Sequence, residues 1–317
     1  MAFVPGYRIT VGRLVFDYVA DVEIKHSWNE LTDTAIITLP RGLKLKNKAQ
    51  RLDELIKSGD KVRIELGYLP KFTLEFEGYV ARIKPGVPVV LECEDETYML
   101  RRSNYTKGWE SVKLKEVISF IAPGYKTDVL DADLGAFRIN KANACKVLDF
   151  IKDTYGISSF FRGKTLVVGF PYPNEAKKVK YSFNGPNGNI AESDLQFRKK
   201  EDVRLLVKAI SKMPDNKEIS VEIGDDGGDV RTLHVGYNIP KSELKRRAES
   251  EIDKIKVDGY TGSITGFGIP YAEHGDIAVL YDDEYPERQG EYYIDAVTIT
   301  AGINGYRRIC EIGKRAI

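Results

Sequence analysis

The sequence has few cysteines, and their spacing excludes the roles that cysteine often has. Only three occur among 317 residues, at Cys93, Cys145 and Cys310. An odd number of widely separated cysteines, with no CxxC pair and no cysteine–histidine spacing, does not suit a disulfide framework or a zinc site. Because free cysteine is among the most buried residue types, we expect all three to be small apolar residues of the core.

The sequence also lacks a charge imbalance and a long apolar run. Its 48 Lys and Arg residues against 47 Asp and Glu leave a formal net charge of +1, so no general attraction to nucleic acid or to an acidic membrane surface is expected. No run approaches the ~20 apolar residues of a membrane span, and the first residues lack the features of a signal peptide. We therefore expect a protein that is made in the cytoplasm and does not insert into a membrane.

What the sequence contains is a globular balance of 42% hydrophobic and 30% charged residues, at a length that suits two or three domains. The first hundred residues are rich in strand-forming segments such as "YRITVGRLVFDY", "DTAIITLP" and "KVRIELGY". One helix is predicted over residues 47–60, with Leu52, Leu55 and Ile56 on one face and Gly59 after its end. This region is predicted to be a barrel or sandwich with a helix packed on it.

A small α/β module is predicted next. The spacing predicts helices at "SVKLKEVISFIA", ended by Pro123 and Gly124, and at "KANACKVLDFIKDTYG", ended by Gly156. A hairpin that turns at residues 162–164 follows. The segment 171–194, rich in Pro, Gly and Asn, is predicted to connect back to the strand-rich body.

In the last third of the chain strands dominate again, and one helix interrupts them. The segment "KSELKRRAESEIDKIK" offers Ser242 as an N-cap. It places four apolar residues on one side: Leu244, Ala248, Ile252 and Ile255.

An internal echo links the two strand-rich regions. "SGDKVRIELGY", residues 58–68, resembles "HGDIAVLYDDEY", residues 274–285, and in both a cysteine-bearing strand follows. Cys93 lies 34 residues after Gly59, and Cys310 lies 35 residues after Gly275. Two related barrels in one chain account for this pattern, and chance similarity of generic strands is the alternative.

The group with the most catalytic appearance is His274, Gly275 and Asp276, because a histidine beside a carboxylate can act as an oriented base. Adjacent residues of a tight turn usually point apart, however, and no nucleophile motif such as GxSxG is present. The first copy has Ser58 where the second has His274. This favours a solvent-facing turn over a catalytic site.

Other candidate sites are equally weak. Asp225, Asp226 and Asp229 lack the alternating ligands and the closing Glu of a calcium loop, which favours a solvated hairpin tip. His26 and His234 lie in strand-like runs without partner spacing and are predicted to be structural. We therefore predict no catalytic residue, no metal ligand and no cofactor.

The order and spacing of several motifs resemble a known family over nearly the whole chain. The motifs are "WNELTDTAIITLP", "SGDKVRIELGY", "EGYVARI", "ACKVLDFIKDTYGISSFFRGKTLVVG" and "GYTGSITGFGIPYAEHGDIAVLYD", followed by "GEYYIDAVTITAGINGYRRICEIG". They are similar to the baseplate hub proteins of contractile phage tails. This family includes the late-control-protein-D group, Mu-like prophage relatives, the T-even phage hub and the hub portion of the type VI secretion spike protein VgrG.

The resemblance implies a mainly β fold with an α+β insertion: two tail-tube-like β-barrels per chain plus a small α/β domain. Residues 1–105 would form the first barrel, 106–175 the α/β domain, and 176–317 a connecting segment with the second barrel. Three chains would then form a pseudo-sixfold ring, since six like barrels from three chains require two per chain. Because VgrG chains continue into a spike and this sequence stops at Ile317, a separate spike polypeptide is expected.

The implied partners are other copies of the chain, a tail tube protein and a central spike protein, in a virion baseplate or an equivalent injection apparatus. A tail-associated cell-wall hydrolase is an alternative, but no convincing pair of carboxylates or metal site is found. A carbohydrate-binding β-sandwich is another, because Trp28, Trp109 and the eighteen tyrosines could stack on sugars. Core and interface positions are favoured for these aromatic residues, so a structural protein rather than an enzyme is predicted.

Overall fold

The structure is a computed structural model that describes residues 4–39, 42–45, 48–51, 55–173, 175–183, 188–215, 217–256, 258–286 and 289–316. The described chain is mainly β with few helices, as predicted. Its buried apolar residues form three clusters in these ranges. The largest cluster combines residues from the first and last thirds of the chain, which therefore share one core.

Within the described residues, one large sheet contains fourteen strands. From the first third of the chain it takes β1 (Pro5–Val11), β2 (Leu14–Phe16), β3 (Asp21–Ser27), β4 (Thr34–Leu39), β7 (Lys61–Tyr68), β8 (Lys71–Lys84) and β9 (Val89–Glu94). From the last third it takes β15 (Lys178–Ser182), β16 (Ile190–Ser193), β17 (Gln196–Arg198), β21 (Gly259–Phe267), β22 (Ile277–Tyr281), β23 (Gly290–Gly302) and β24 (Gly305–Arg315). The strand order is β16-β21-β24-β23-β3-β4-β9-β8-β7-β1-β2, with β15 and β22 attached to β23 and with β17 beside β21.

The helix predicted over residues 47–60 is wrong in its first part. Lys48–Arg51 forms a strand, β6, that pairs with β5 (Gly42–Leu45) as an antiparallel hairpin. Leu52 lies outside the described residues, and Leu55 is helical but partly exposed. A partner strand outside the predicted window decided the conformation, because strand formation depends on pairing more than on local preference.

The middle of the chain combines helices and strands around a core of its own. It contains α1 (Thr97–Leu100), β10 (Asn104–Lys113), α2 (Leu114–Ile121), β11 (Lys126–Val129), β12 (Asp133–Asn143), α3 (Ala144–Tyr155), β13 (Ser158–Arg162) and β14 (Thr165–Gly169). The Asn143 side chain caps α3 by accepting from the Lys146 N–H at 3.0 Å, and Gly156 ends the helix at φ +67°. The hairpin between β13 and β14 turns at residues 162–164, as predicted.

A further module, which the sequence analysis did not separate from its surroundings, has its own core. It contains β18 (Leu205–Lys212), β19 (Glu218–Gly224), β20 (Asp229–Tyr237) and α4 (Lys241–Ile255). The predicted helix stripe is confirmed, since Leu244 and Ala248 are fully buried. The predicted N-cap at Ser242 is wrong: Pro240 precedes the first turn, where its fixed φ suits a helix start.

The predicted connecting segment holds two strands of the large sheet. β15 pairs in parallel with β22, and β16 pairs with β21. The three cysteines are buried, as predicted. Among the helices in the described ranges, none combines the length and apolarity needed to cross a membrane.

Candidate functional site at the joint of two related units

The two Gly–Asp turns of the sequence have the same conformation and the same hydrogen bonds. Gly59 has φ +92° and Gly275 has φ +89°, in the left-handed region that favours glycine. The Gly59 N–H donates to the carbonyl oxygen of Val80 at 2.8 Å. The Gly275 N–H donates to the carbonyl oxygen of Ile294, also at 2.8 Å. In each turn the accepting residue donates back to the aspartate carbonyl, at 2.9 Å in the first and 2.8 Å in the second.

The aspartate side chain of each turn binds the backbone of its own turn. The Asp60 carboxylate accepts from the Lys57 N–H at 2.8 Å. The Asp276 carboxylate accepts from the Glu273 N–H at 3.0 Å. These are the bonds of a structural turn, and they use the carboxylate that a His274–Asp276 pair would need.

The side chain of His274 is buried next to the turn rather than presented to solvent. Its ring packs edge-on against Phe160, with ring centroids 5.0 Å apart, and no described atom hydrogen-bonds to its Nδ1. Burial lowers its pKa to about 4, although the charge of Asp33 acts in the opposite direction. The imidazole is therefore neutral at neutral pH.

The resemblance of the two regions extends along the strands, including an irregularity of pairing. In the β8–β9 ladder Val80 faces Cys93, and the next residue of β8 is left out of the register. In the β23–β24 ladder Ile294 faces Ile312, and again the next residue is left out. The predicted equivalence of the two cysteines is wrong, because Ile312 occupies the position of Cys93 and Cys310 lies two residues earlier. A bulge of this kind is a conserved feature of a strand pair, so its repetition supports one backbone plan used twice.

A second pair of strands repeats as well, which the sequence analysis missed. β4 pairs with β9 so that Ile37 faces Leu91, and β21 pairs with β24 so that Ile264 faces Cys310. Both isoleucines are followed by threonine, in "IITLP" and "SITGF", a short signal that could have revealed the repeat. The ladders define a first unit of β3, β4, β7, β8 and β9, and a second unit of β16, β17, β21, β22, β23 and β24.

The two units are joined by direct strand pairing. β3 of the first unit pairs antiparallel with β23 of the second, from Asp21 opposite Gly302 to Ser27 opposite Ala296. The buried side chains at this joint are apolar: Val22, Ile24, Val297, Ile299 and Ala301. The sheet is therefore continuous from one unit to the other.

A buried ion pair also crosses this joint. The Arg308 guanidinium on β24 donates to the Glu75 carboxylate on β8 at 2.7 Å, and both side chains are almost fully buried. The Tyr306 hydroxyl donates to the same carboxylate, and Arg308 also donates to the carbonyl oxygens of Gly268 and Ala272. Burial lowers the pKa of Arg308, but the charges of Glu75 and Tyr306 and the hydrogen bond to Glu75 together raise it above its ordinary value, so the guanidinium stays charged.

A cavity of about 170 Å³ adjoins this ion pair. It is lined by residues of both units and of the α/β module, among them His26, Asp33, Glu75, Asp95, His274 and Arg308. The Nδ1 of His26 hydrogen-bonds to Asp33 at 2.8 Å and its Nε2 to the Glu75 carbonyl oxygen at 2.9 Å, so neither nitrogen is available as a base. Burial lowers the pKa of His26, yet the charge and hydrogen bond of Asp33 raise it above its ordinary value. Burial, with the charge of Asp33, raises the pKa of Asp95 to about 7.

The remaining predicted site residues lie apart from this cavity. The Asp225 carboxylate accepts from the Leu205 N–H at 3.0 Å and pairs with Lys256, which lowers its pKa, as suits a residue that holds a turn. The Asp226 carbonyl accepts from Arg204, and Asp229 begins β20. In the described ranges no three potential metal ligands come together.

His234 and the two tryptophans also have structural surroundings. His234 lies in β20. The indole of Trp28 donates to the Asp295 carboxylate at 3.1 Å, and Trp109 packs edge-on against Phe120 with ring centroids 5.6 Å apart. Both indoles therefore belong to contacts within the fold.

No family model and no curated protein matches this sequence, but solved structures do. The chain is similar to a tail protein from Neisseria meningitidis, with 13% identity and a TM-score of 0.67 over 98% of this chain and 96% of that one. It is similar to a tail protein of prophage MuSo2 from Shewanella oneidensis, with 15% identity and a TM-score of 0.67 over 98% of both chains. It is also similar to an E. coli component of the type VI secretion system, described as similar to the T4 bacteriophage tail proteins gp27 and gp5, with 10% identity and a TM-score of 0.62 over 97% of this chain and 77% of that one. The chain thus has the fold of phage tail proteins, which confirms, at the level of fold, the resemblance drawn from the sequence.

Proposed function

We propose that this chain is a structural baseplate hub protein of a contractile phage tail, of a prophage or of a related injection system. The observation that carries the proposal is the presence of two units with the same turn, the same bulge and the same strand order in one chain. Three such chains supply six similar units, so a ring of three chains can meet a sixfold tube on one side and a threefold spike on the other.

In this proposal each unit closes into a tail-tube-like barrel. Residues 1–105 carry the first barrel, 106–175 the α/β domain and 176–317 the second barrel with its connecting segment. The repeated ladders support the two barrels, because one ladder lies in the first of these ranges and the other in the last.

The proposed mechanism is geometric and not enzymatic. The joint between the units is fixed by strand pairing and by the buried Glu75–Arg308 pair, so the angle between successive units is set within each chain. The partners would be two further copies of the chain, the tail tube protein and the central spike protein, in the baseplate of a virion or an equivalent apparatus.

The experiment is a measurement of mass in solution, for the purified chain alone and after addition of a spike protein from the same tail or injection system. We expect a species of three times the 35.7 kDa chain mass, and rings in electron micrographs. A chain that stays monomeric at high concentration, with and without the spike protein, and that forms no rings would contradict the proposal.

A further inference from the structure

β3 of the first unit pairs with β23 of the second unit within the chain. The strands equivalent to these two in the other unit do not pair with each other. β16 and β17 occupy in the second unit the place of β3 in the first. Val22 of β3 faces Ile37, whereas Ser193 of β16 faces Ile264 at the equivalent position. The register then continues through β17, where Gln196 faces Thr261.

The other half of the counterpart is the end of β8. Arg82 follows the bulge of β8 as Ala296 follows the bulge of β23. From Ala296 onward β23 carries β3 on the side away from β24. The segment Arg82–Lys84 of β8 is therefore equivalent to the part of β23 that binds β3.

Both equivalent segments have an open edge. Within the described parts of the chain, no strand pairs with β16 or β17 on the side away from β21. On the side of β8 away from β9, β7 reaches only as far as Tyr79, and the described residues place no strand against Arg82–Lys84. Open strand edges of this kind are ready templates for pairing with another chain.

Apolar surface accompanies the open edge of the second unit. Phe197 of β17 is 37% exposed. At the open edge of the first unit, Val87, in the turn after β8, is 68% exposed. A groove of about 590 Å³ runs along β16 and β17 and is lined in part by Phe183, Ile190, Leu195, Phe197 and Tyr260. In the first unit the equivalent of Phe197 is His26, which lies opposite Val297 of β23. The groove therefore marks the place where the second unit lacks a covering strand.

We propose that Arg82–Lys84 of β8 in one chain pairs antiparallel with Gln196–Arg198 of β17 in a second copy, in the register of the β3–β23 joint. Ile83 then faces Phe197, as Val297 faces His26 within the chain. Within the described residues the two edges do not pair with each other in one chain, and six strands of the continuous sheet lie between β16 and β8. This inference rests on the proposed hub function, and it names the surfaces by which the copies associate.

Such pairing uses different surfaces on the two copies, so it propagates from copy to copy and closes into a ring when the rotation permits. If the joint between chains has the geometry of the internal β3–β23 joint, the angle of the internal joint sets the rotation from one unit to the next around the ring. Three chains would then form six similar joints, three within chains and three between them.

One feature of this register weakens the contact. Arg82 lies opposite Arg198, and like charges directly opposite each other in a ladder are destabilising. Glu92 faces Arg82 from β9, but its carboxylate pairs with the Lys84 ammonium and does not neutralise Arg82. We therefore expect Arg198→Glu to tighten the association of copies by about threefold to tenfold, from a coupling on the order of 1 kcal/mol. Arg198→Ala should give a smaller gain.

The direct test is a pair of cysteines in the full-length chain, Ile83→Cys with Phe197→Cys. Residues that face each other in a ladder come within the distance that a disulfide requires. Because the three native cysteines are buried, they do not compete. Oxidation should give bands of two and three linked chains on a non-reducing gel, about tenfold above the matched control Ile83→Cys with Val230→Cys, whose second thiol is exposed on β20 away from this edge.

The outcomes separate the inference from the proposed function. A trimer in solution whose paired cysteines link no more than the control overturns the assignment of these edges and leaves the hub proposal intact. A monomer with no linked bands overturns both. Linked bands together with tighter association of Arg198→Glu support the assignment, whereas weaker association of Arg198→Glu contradicts the register.

Discussion

The two units follow one backbone plan, yet they differ at the same ladder position. In the first unit His26 hydrogen-bonds to Asp33 at 2.8 Å, beside a buried ion pair and under the cover of β23. In the second unit Phe197 packs edge-on against Tyr260, with ring centroids 5.4 Å apart, and remains partly exposed. The edge of β3 is therefore covered within the chain, next to charged groups that need specific partners. The equivalent edge of β17 is apolar and open.

The largest effect is expected when the Glu75 carboxylate, which pairs with Arg308 across the joint of the two units, is removed. Glu75→Gln leaves the Arg308 guanidinium buried without its counter-charge, and we expect a loss of about 3–5 kcal/mol in the free energy of unfolding. Denaturant unfolding followed by circular dichroism measures it. Glu77→Gln is the matched control on the same strand, because its partner Arg63 is exposed and the expected loss is about 0–1 kcal/mol. Equal losses in the two variants would contradict the role assigned to the joint.

A second test uses the histidine that replaces a serine in the second turn. The pKa of His274 is about 4 in the fold, below its ordinary value of 6.5, so the folded state binds fewer protons than the unfolded state between these values. His274 should therefore not reduce the free energy of unfolding above pH 6.5. As the pH falls toward 4, this residue should lower the free energy of unfolding by up to about 3 kcal/mol. In His274→Ser, which copies the first turn, that part of the slope should disappear.

The measurement is urea unfolding of both proteins at several pH values from about 7.5 down to 4.5. The difference in slope, rather than the stability at one pH, is the readout, because the smaller side chain also changes packing. An unchanged slope in the variant would show that His274 does not titrate as its burial requires.

A third test asks whether the two turns are energetically equivalent. Gly59→Ala and Gly275→Ala each force a side chain into the left-handed region, with an expected loss of about 1–2 kcal/mol. An added Cβ would meet the movable end of a side chain in each turn, the Tyr98 hydroxyl at 3.3 Å in the first and Arg162 Nη2 at 2.9 Å in the second. In the second turn it would also meet the backbone oxygen of Pro171 at 3.3 Å, so the loss for Gly275→Ala should be the larger of the two. Gly108→Ala, where nothing lies within 4 Å, is the control in thermal unfolding.

The smallest effect is expected at the serine of the first turn. The Ser58 hydroxyl donates to the Ala81 carbonyl oxygen at 2.9 Å on an exposed surface, where water replaces it readily. Ser58→Ala should cost about 0.5 kcal/mol. Ser119→Ala removes a similar bond to the Lys115 carbonyl oxygen at 2.8 Å inside helix α2, where the higher helix propensity of alanine offsets the loss, so it should change stability less than Ser58→Ala in the same unfolding assay. A loss for Ser58→Ala several times larger than about 0.5 kcal/mol would mean that the first turn depends on its serine.

Local sequence patterns predict those helices and hairpins whose signal comes from residues close together in the sequence. Val117, Ile118 and Ile121 recur at helical spacing in α2, and all three are fully buried. The hairpin at residues 162–164 was likewise predicted from two apolar runs around a glycine. These segments carry their own signal because each needs only the residues next to it in sequence.

Patterns that depend on distant partners were predicted poorly. At Lys48–Arg51 the local pattern predicts a helix where the structure has a strand, because the partner of this strand lies outside the predicted helix window. The equivalence of β3 with β16 and β17 was missed because the second copy is broken into two short strands. Aligning Cys93 with Cys310 displaces the two copies by two residues, because Cys93 corresponds to Ile312. No local feature of the sequence distinguishes these buried residues from each other. The candidate site was found only in part: its turns were found, and the ion pair was not.

The positions of the turns and of the buried faces can be predicted from the amino-acid sequence, because backbone conformation at glycine and apolar periodicity are local properties. The repetition of one turn-and-strand plan can be recognised there as well. The contact of Glu75 with Arg308 across 233 residues, and the difference between one covered edge and its open copy, appear only in the folded chain. Those contacts arise from the packing of the two units, and the free energy of a buried charge or a strand edge depends on what lies against it in space.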